Sequence, residues 1–195
     1  MTVRVMFVAP AIGDGLRAAR FGDDGPPEEA ALAAARAAAR SLPAPARGYA
    51  SPSPRCGRTA EALGLAAEPD GRLADVEVGS WRGRTLDEVA EAEPAAFSAW
   101  LSDPTAAPHG GESVTDLIAR VGGWLEERYE RGELDGRSGR LAVVAEPAVV
   151  RAAVVHVLGL PPEVFWRLDV RPLSVTELSG RAGRWNLRCG WDLAP

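Results

Sequence analysis

The sequence predicts a single three-layer α/β/α domain around a mostly parallel central sheet. Two observations lead there. Short β-branched apolar runs alternate with helix-like segments, the pattern of strands and helices packed in layers. Two of those runs, Val3 to Val8 (apolar but for Arg4) and Leu141 to Ala145, are near-continuously apolar, as strands covered on both faces are. A chain of 195 residues suits one domain with a substantial core, here expected over residues 1–195.

Taken in order, Val3 to Val8 reads as a buried strand, followed by an irregular Gly-rich stretch to Pro27. Glu28 to Leu42 is Ala-rich and predicts a helix. Gly48 to Ser51 is a short strand, and Arg55 to Leu63 a second helix. A loop carrying Gly71, Gly79 and Gly83 precedes a helix from about Thr85, and Pro94 to Leu101 adds further helical turns. Ser113 to Tyr129 is the clearest helix. Ser113 with Asp116 forms a capping-box-like start, and Val114, Leu117, Ile118, Val121, Trp124 and Leu125 share one face. After the Leu141 to Ala145 strand, Pro147 suits the first turn of a helix to Leu158. Leu173 to Leu178 and Arg184 to Leu187 read as strands around a Gly180/Gly183 turn.

Composition narrows the function classes. Hydrophobic residues make up 46% and charged residues 25%, ordinary for a globular protein. The net charge of -5 argues against nucleic acid as a partner. All 22 basic residues are Arg and Ala is abundant, a bacterial-like bias of lineage rather than function. Cys56 and Cys189 are expected as free thiols of a reducing compartment. No apolar run reaches about 18 residues, and the N-terminal run is too short for a signal peptide, so a cytoplasmic location away from membranes is expected.

Three motifs suggest a family. SPSPRCGRTA runs from Ser51 to Ala60, RLADVEVGSWRGRTLDEV from Arg72 to Val89, and HGGES from His109 to Ser113. In this order, and with LAVVAEPAVVRAAVVHVLGLP following, they resemble the histidine phosphatase superfamily, the phosphoglycerate mutase-like fold. The resemblance implies that Arg55 binds phosphate, that Asp75 stands where the family's leaving-group acid is typically Glu, and that Trp81 borders the pocket. It places the family's R-H-G nucleophile motif at Ala9, Pro10 and Ala11, and its second histidine at Glu146. Proline offers no side-chain lone pair, so covalent catalysis through a phosphohistidine has no nucleophile at that position. The two histidines of the chain, His109 and His156, fall elsewhere. His109, in the loop before the Ser113 helix, is a candidate pocket residue; His156 reads as a packed helix residue.

The same positions predict a change in pocket charge: one cation, Arg55, against two carboxylates. Like charges about 4 Å apart repel by about 4 kcal/mol at an effective dielectric near 20, which disfavours a phosphate dianion. Three functions stay open. The chain is a catalytically inactive protein with a binding or regulatory role, with Arg55 paired to Glu146 or Asp75. Alternatively, it is a repurposed enzyme with Asp75 and Glu146 as acid and base on a non-phosphorylated metabolite. As a third reading, it keeps weak phosphate-ester binding or hydrolysis through Arg55.

No cofactor and no metal are expected. The partner classes left open are a small molecule, another protein or a second copy of the chain. Gly13, Gly15 and Ala18 spell a dinucleotide-binding pattern, but the first Gly comes late and no strand ending in an acidic residue follows at the required distance. Cys56 has no Arg at the spacing of cysteine-based phosphatases, and no Asp-x-Asp of aspartate-based ones exists.

Overall fold

The computed structural model describes residues 3–22, 25–43, 45, 47–131, 140–181 and 184–192. In chain order the elements are β1 (Val3–Val8), α1 (Asp14–Arg17), α2 (Glu29–Ala38), β2 (Arg47–Ala50), α3 (Pro54–Ala62), β3 (Ala67–Pro69), α4 (Leu86–Ala92), α5 (Pro94–Ser102), α6 (Val114–Glu130), β4 (Leu141–Val144), α7 (Pro147–Leu158), β5 (Ser174–Arg181) and β6 (Arg184–Asp192). The strands form one sheet in the order β3-β2-β4-β1-β5-β6. The pairings among β1 to β4 are parallel, and β5 lies antiparallel on β1 and on β6. The expected mostly parallel sheet is thus present, with only β5 running against the other strands.

The pleat separates two apolar layers. Val5 and Phe7 face the α6 and α7 side with Leu117, Val121, Trp124 and Val149; Met6 and Val8 face the α2 and α3 side with Ala35, Cys56 and Ala60. A third cluster of Phe21, Val78, Trp81, Val89 and Trp100 sits beneath α4 and α5.

Local signals set several element ends. Ser53 accepts from the Cys56 N–H at 3.1 Å and starts α3. Thr85 and Glu88 complete a capping box at α4. At α6, Ser113 accepts from the Asp116 N–H at 3.1 Å, while its hydroxyl donates to the Asp116 carboxylate at 2.7 Å. α6 therefore begins with a cap but not with a full box.

The sequence reading misses β3 and α1. β3 is three residues ending in proline, tolerable only at a sheet edge, and α1 is a single turn without a side-chain cap. The turn joining β5 to β6, where Gly183 was expected, and the Cys189 side chain lie outside the described part of the chain. No described helix is long and apolar enough to cross a membrane.

Candidate functional site

Clefts in open α/β sheets form beyond the carboxyl ends of the strands. Val8 is in register with Val144, and Val144 with Ala50, so β1, β4 and β2 end level. The residues just past them, Ala9 to Ala11, Ala145 to Glu146 and Ser51, therefore stand side by side. Ala9, Pro10 and Ala11 are all buried. The Ala11 N–H donates to Thr59 Oγ1 at 3.0 Å, which ties this segment to α3.

Arg55 projects from the first turn of α3, and Glu146 is the N-cap residue of α7. Both are buried, at 5% and 1% exposure. The Arg55 Nε donates to Glu146 Oε1 at 3.3 Å, and its Nη2 donates to Oε2 in a close ion pair. Ser53 donates to the same Oε1 at 2.9 Å, and the Cys56 thiol lies 3.5 Å from it. Burial alone would depress the Arg55 guanidinium, but the Glu146 carboxylate outweighs it and raises the net affinity for the proton. Burial pushes the Cys56 thiol well up, and the Glu146 carboxylate adds to the push, so this cysteine is a packed thiol and no nucleophile.

Asp75 takes no part in that pair. The residue is half-buried, yet its Oδ1 is shut off from solvent without a hydrogen-bond partner. Burial pushes its carboxyl up to about 7, and the Glu146 carboxylate adds to this; the Val76 N–H, Arg55 and Arg120 pull the other way with less effect. Arg120 of α6 holds the backbone that carries Asp75. It donates to the Arg72 and Ala74 carbonyls at 2.7 and 3.1 Å while clamping Glu112 bidentately at 2.7 and 2.6 Å.

The titration of Asp75 makes a prediction. Between the ordinary 3.8 and about 7, the folded chain holds a proton here that the unfolded chain releases. Stability therefore falls as pH rises through that window. Asp75→Asn should flatten the pH dependence of Tm between pH 5 and 8, and at pH 8 raise Tm by about 3 °C for each kcal/mol of charge burial relieved. A Tm profile with the same slope in the variant would show that Asp75 ionises normally.

Two clefts meet at Asp75. One, of about 250 Å³, is lined by Ser51, Ser53, Asp75, Glu77, Arg82 and Glu146 among others. The second, of about 170 Å³, lies between Leu16, Phe21, Trp100 and Trp166, with Arg20, Arg55, Asp75 and Arg151 on its walls. Three of the expected site residues, Arg55, Asp75 and Glu146, are thus brought together.

Two others are corrected. Trp81 is fully buried and donates its Nε1 to Glu93 at 3.1 Å; His109, 2% exposed, packs edge-on against it at 5.0 Å. The His109 Nδ1 accepts from the Gly111 N–H at 3.0 Å, and burial lowers the ring's affinity for a proton. Neither residue lines either cleft, so both serve the aromatic cluster below. His156, read from sequence as a packed helix residue, is half-buried and reaches Glu126 at 3.0 Å.

The charge balance is also corrected. Beside Arg55 the two clefts hold Arg20, Arg82 and Arg151, against Asp75, Glu77 and Glu146. Arg82 is matched by Glu77 at 3.1 Å and Arg55 by Glu146. The site has therefore not turned acidic; Arg55 and Arg82 are matched by carboxylates while Arg20 and Arg151 remain. Arg151, Arg120 and Arg20 escaped the sequence reading. The available signal was a lone Arg inside the apolar run AVVRAAVV, four residues after Pro147 and so on the face of α7 that Pro147 also presents.

Comparison with known proteins agrees with this architecture. A glucosyl-3-phosphoglycerate phosphatase from Mycobacterium tuberculosis is 34% identical over 125 residues, covering 62% of this chain and 56% of the relative, so the matched segment spans little more than half of that protein. Phosphoserine phosphatase 1 from Hydrogenobacter thermophilus is 32% identical over 151 residues, 72% of this chain and 70% of the relative. The solved structure of a mycobacterial glucosyl-3-phosphoglycerate phosphatase in complex with VO3 superposes with a TM-score of 0.85 at 29% identity, covering 95% of this chain and 97% of the other. A family model described as histidine phosphatase superfamily (branch 1) matches residues 23–192, which take in β2 to β6 but not β1 or the Leu16, Arg20 and Phe21 side of the smaller cleft. By its fold, its motifs and this match, the chain belongs to the histidine phosphatase superfamily, branch 1.

Proposed function

We propose that this chain is a non-hydrolytic member of its family, a binding or regulatory protein whose phosphate site is filled by its own carboxylate. The observation that carries this reading is the buried, two-pronged Arg55–Glu146 pair. A phosphate dianion gripping the two-pronged Nε/Nη2 edge of Arg55 has to displace Glu146 and leave that carboxylate buried without its cation, which costs several kcal/mol. The resemblance adds that Pro10 stands at the nucleophile's position, and proline can neither attack phosphorus nor accept a proton there. The relatives' names mark them as phosphatases of small phosphorylated acids; this chain keeps the scaffold on which such a site is built and differs at the reacting positions.

The repurposed-enzyme reading loses one of its two groups. Glu146 is held by Arg55 and Ser53, which leaves Asp75 as the free carboxyl and no paired base beside it. Titration calorimetry with inorganic phosphate and with orthovanadate tests the closed site. The wild-type protein is expected to show no saturable binding at millimolar ligand, whereas Glu146→Gln, which frees the guanidinium, gains measurable affinity. Micromolar binding of either ion by the wild type would end this reading.

A further inference from the structure

Among the described residues, three that line the 170 Å³ cleft each carry a buried polar atom without a hydrogen-bond partner: Arg55 Nη1, Trp100 Nε1 and Asp75 Oδ1. Buried polar groups are normally satisfied, so three such residues around one small cavity mark it as a candidate ligand site. Two of the three are donors, and one of those carries charge.

Arg151 adds a second cation. It leaves α7 one turn after Pro147, donates its Nε to the Leu168 carbonyl at 2.7 Å and stacks near the Phe165 and Trp166 rings. No carboxylate lies within ion-pair distance of it among the described residues; burial holds it below its ordinary value despite the more distant Asp169 and Asp75. Arg20 at the exposed rim donates to the Gly83 carbonyl and likewise makes no ion pair. The N-terminal turn of α7, at Pro147 and Ala148, forms part of the same wall and adds its positive dipole end. The polar side of the cleft therefore asks for a single negative charge with acceptor oxygens.

The opposite wall is apolar and largely aromatic: Leu16, Phe21, Trp100 and Trp166. A cavity of about 150 Å³ is enough for a benzene ring, so the space here suits one ring and a small head group. A phosphate dianion fits poorly. The bidentate edge of Arg55 is already occupied by Glu146, and Asp75 faces the cavity. A carboxylate carries half the charge, and Asp75, protonated on the acid side of neutrality, becomes a donor to it.

We propose that this cleft binds a small aromatic carboxylate, its ring against Leu16, Trp100 and Trp166 and its carboxylate held by Arg151 and Arg55 with the Trp100 N–H. This rests on the reading that Glu146 closes the phosphate site, and it names the ligand class of the cavity next to that site.

Benzoate is the probe, with benzamide as its neutral isostere and inorganic phosphate as competitor, followed by calorimetry and by tryptophan fluorescence on the full chain. Saturable benzoate binding is expected, at least about tenfold tighter than benzamide, because a charge-assisted hydrogen bond is worth more than a neutral one. Arg151→Gln, which keeps a donor for Leu168, should weaken benzoate about tenfold and leave benzamide unchanged. Trp100→Phe keeps a ring, removes the N–H and should weaken benzoate by a smaller factor. Equal affinity for benzoate and benzamide on the wild-type protein overturns the proposal without any variant. So does displacement of benzoate by phosphate at equal concentration. Turnover of phosphate esters would instead remove the closed-site reading while benzoate binding could still be present, so the two failures are distinguishable.

Discussion

Glu146→Ala is expected to destabilise the protein by about 3–5 kcal/mol, the cost of leaving a buried guanidinium without its counter-ion. Arg55 is 5% exposed in the first turn of α3, so it cannot turn to water without opening the packing around it. Its remaining neighbours do not replace Glu146: Ser53 and Cys56 are neutral, and the Asp75 Oδ1 has no hydrogen-bond partner. For a chain of this size the loss corresponds to a fall of roughly 10 °C in Tm. Replacing both partners with leucine should cost much less than replacing Glu146 alone, since no uncompensated charge remains. Urea titration of the two variants reads this directly. A Glu146→Ala protein within about 1 kcal/mol of wild type would mean that Arg55 is hydrated, and the pair would lose its role as a plug.

The second large effect is expected at Gly111. The loop carrying Asp75 is pinned to the His109–Gly111 turn by the Glu112 N–H donating to the Glu77 carbonyl at 2.7 Å and the Ser80 N–H donating to the His109 carbonyl at 2.9 Å. A Cβ at Gly111 would lie 1.9 Å from the Glu77 carbonyl oxygen, and one at Gly79 2.0 Å from the His109 oxygen. Both obstacles are backbone, so the loops must separate. Gly111→Ala should therefore cost about 3 kcal/mol and move Asp75 away from the clefts, which a loss of the pH-dependent Tm between pH 5 and 8 would report. Gly123→Ala is the control. Nothing lies within 4 Å of a Cβ there, on the exposed face of α6, so it should gain up to about 1 kcal/mol from helix propensity. Equal effects at the two positions would show that composition, not the close approach, governs them.

Much of this fold was legible because its signals are local. Near-continuous apolar runs gave β1 and β4, a proline at the first turn gave α7, and Ser113 with the apolar face behind it gave α6. The sequence reading overlooked β3 because a three-residue edge strand ending in proline has no periodicity to read. At the site, motif spacing brought Arg55, Asp75 and Glu146 together, and the two alternatives for the partner of Arg55 could be written down in advance. Choosing between them required the register of β1, β2 and β4, which sets Glu146 directly against α3 and leaves Asp75 apart. Trp81 and His109 were misplaced for a related reason. Family position indicates the neighbourhood of a pocket, not which side of a loop a ring faces, and here both rings turn into the Phe21–Trp100 cluster. The charge balance went wrong because Arg20 and Arg151 reach the cleft from segments well separated in sequence from the motifs.

On the reading proposed above, a phosphatase scaffold has its phosphate site occupied from within and no nucleophile beside it. The most direct measurement is turnover of phosphate monoesters, including glucosyl-3-phosphoglycerate and phosphoserine, by the pure wild-type protein, with Arg55→Ala as its control. Phosphate release is expected at the buffer rate for every ester, with no difference between the two proteins. Release above background that disappears in Arg55→Ala would contradict it, because Arg55 would then be serving a phosphoryl group and not Glu146.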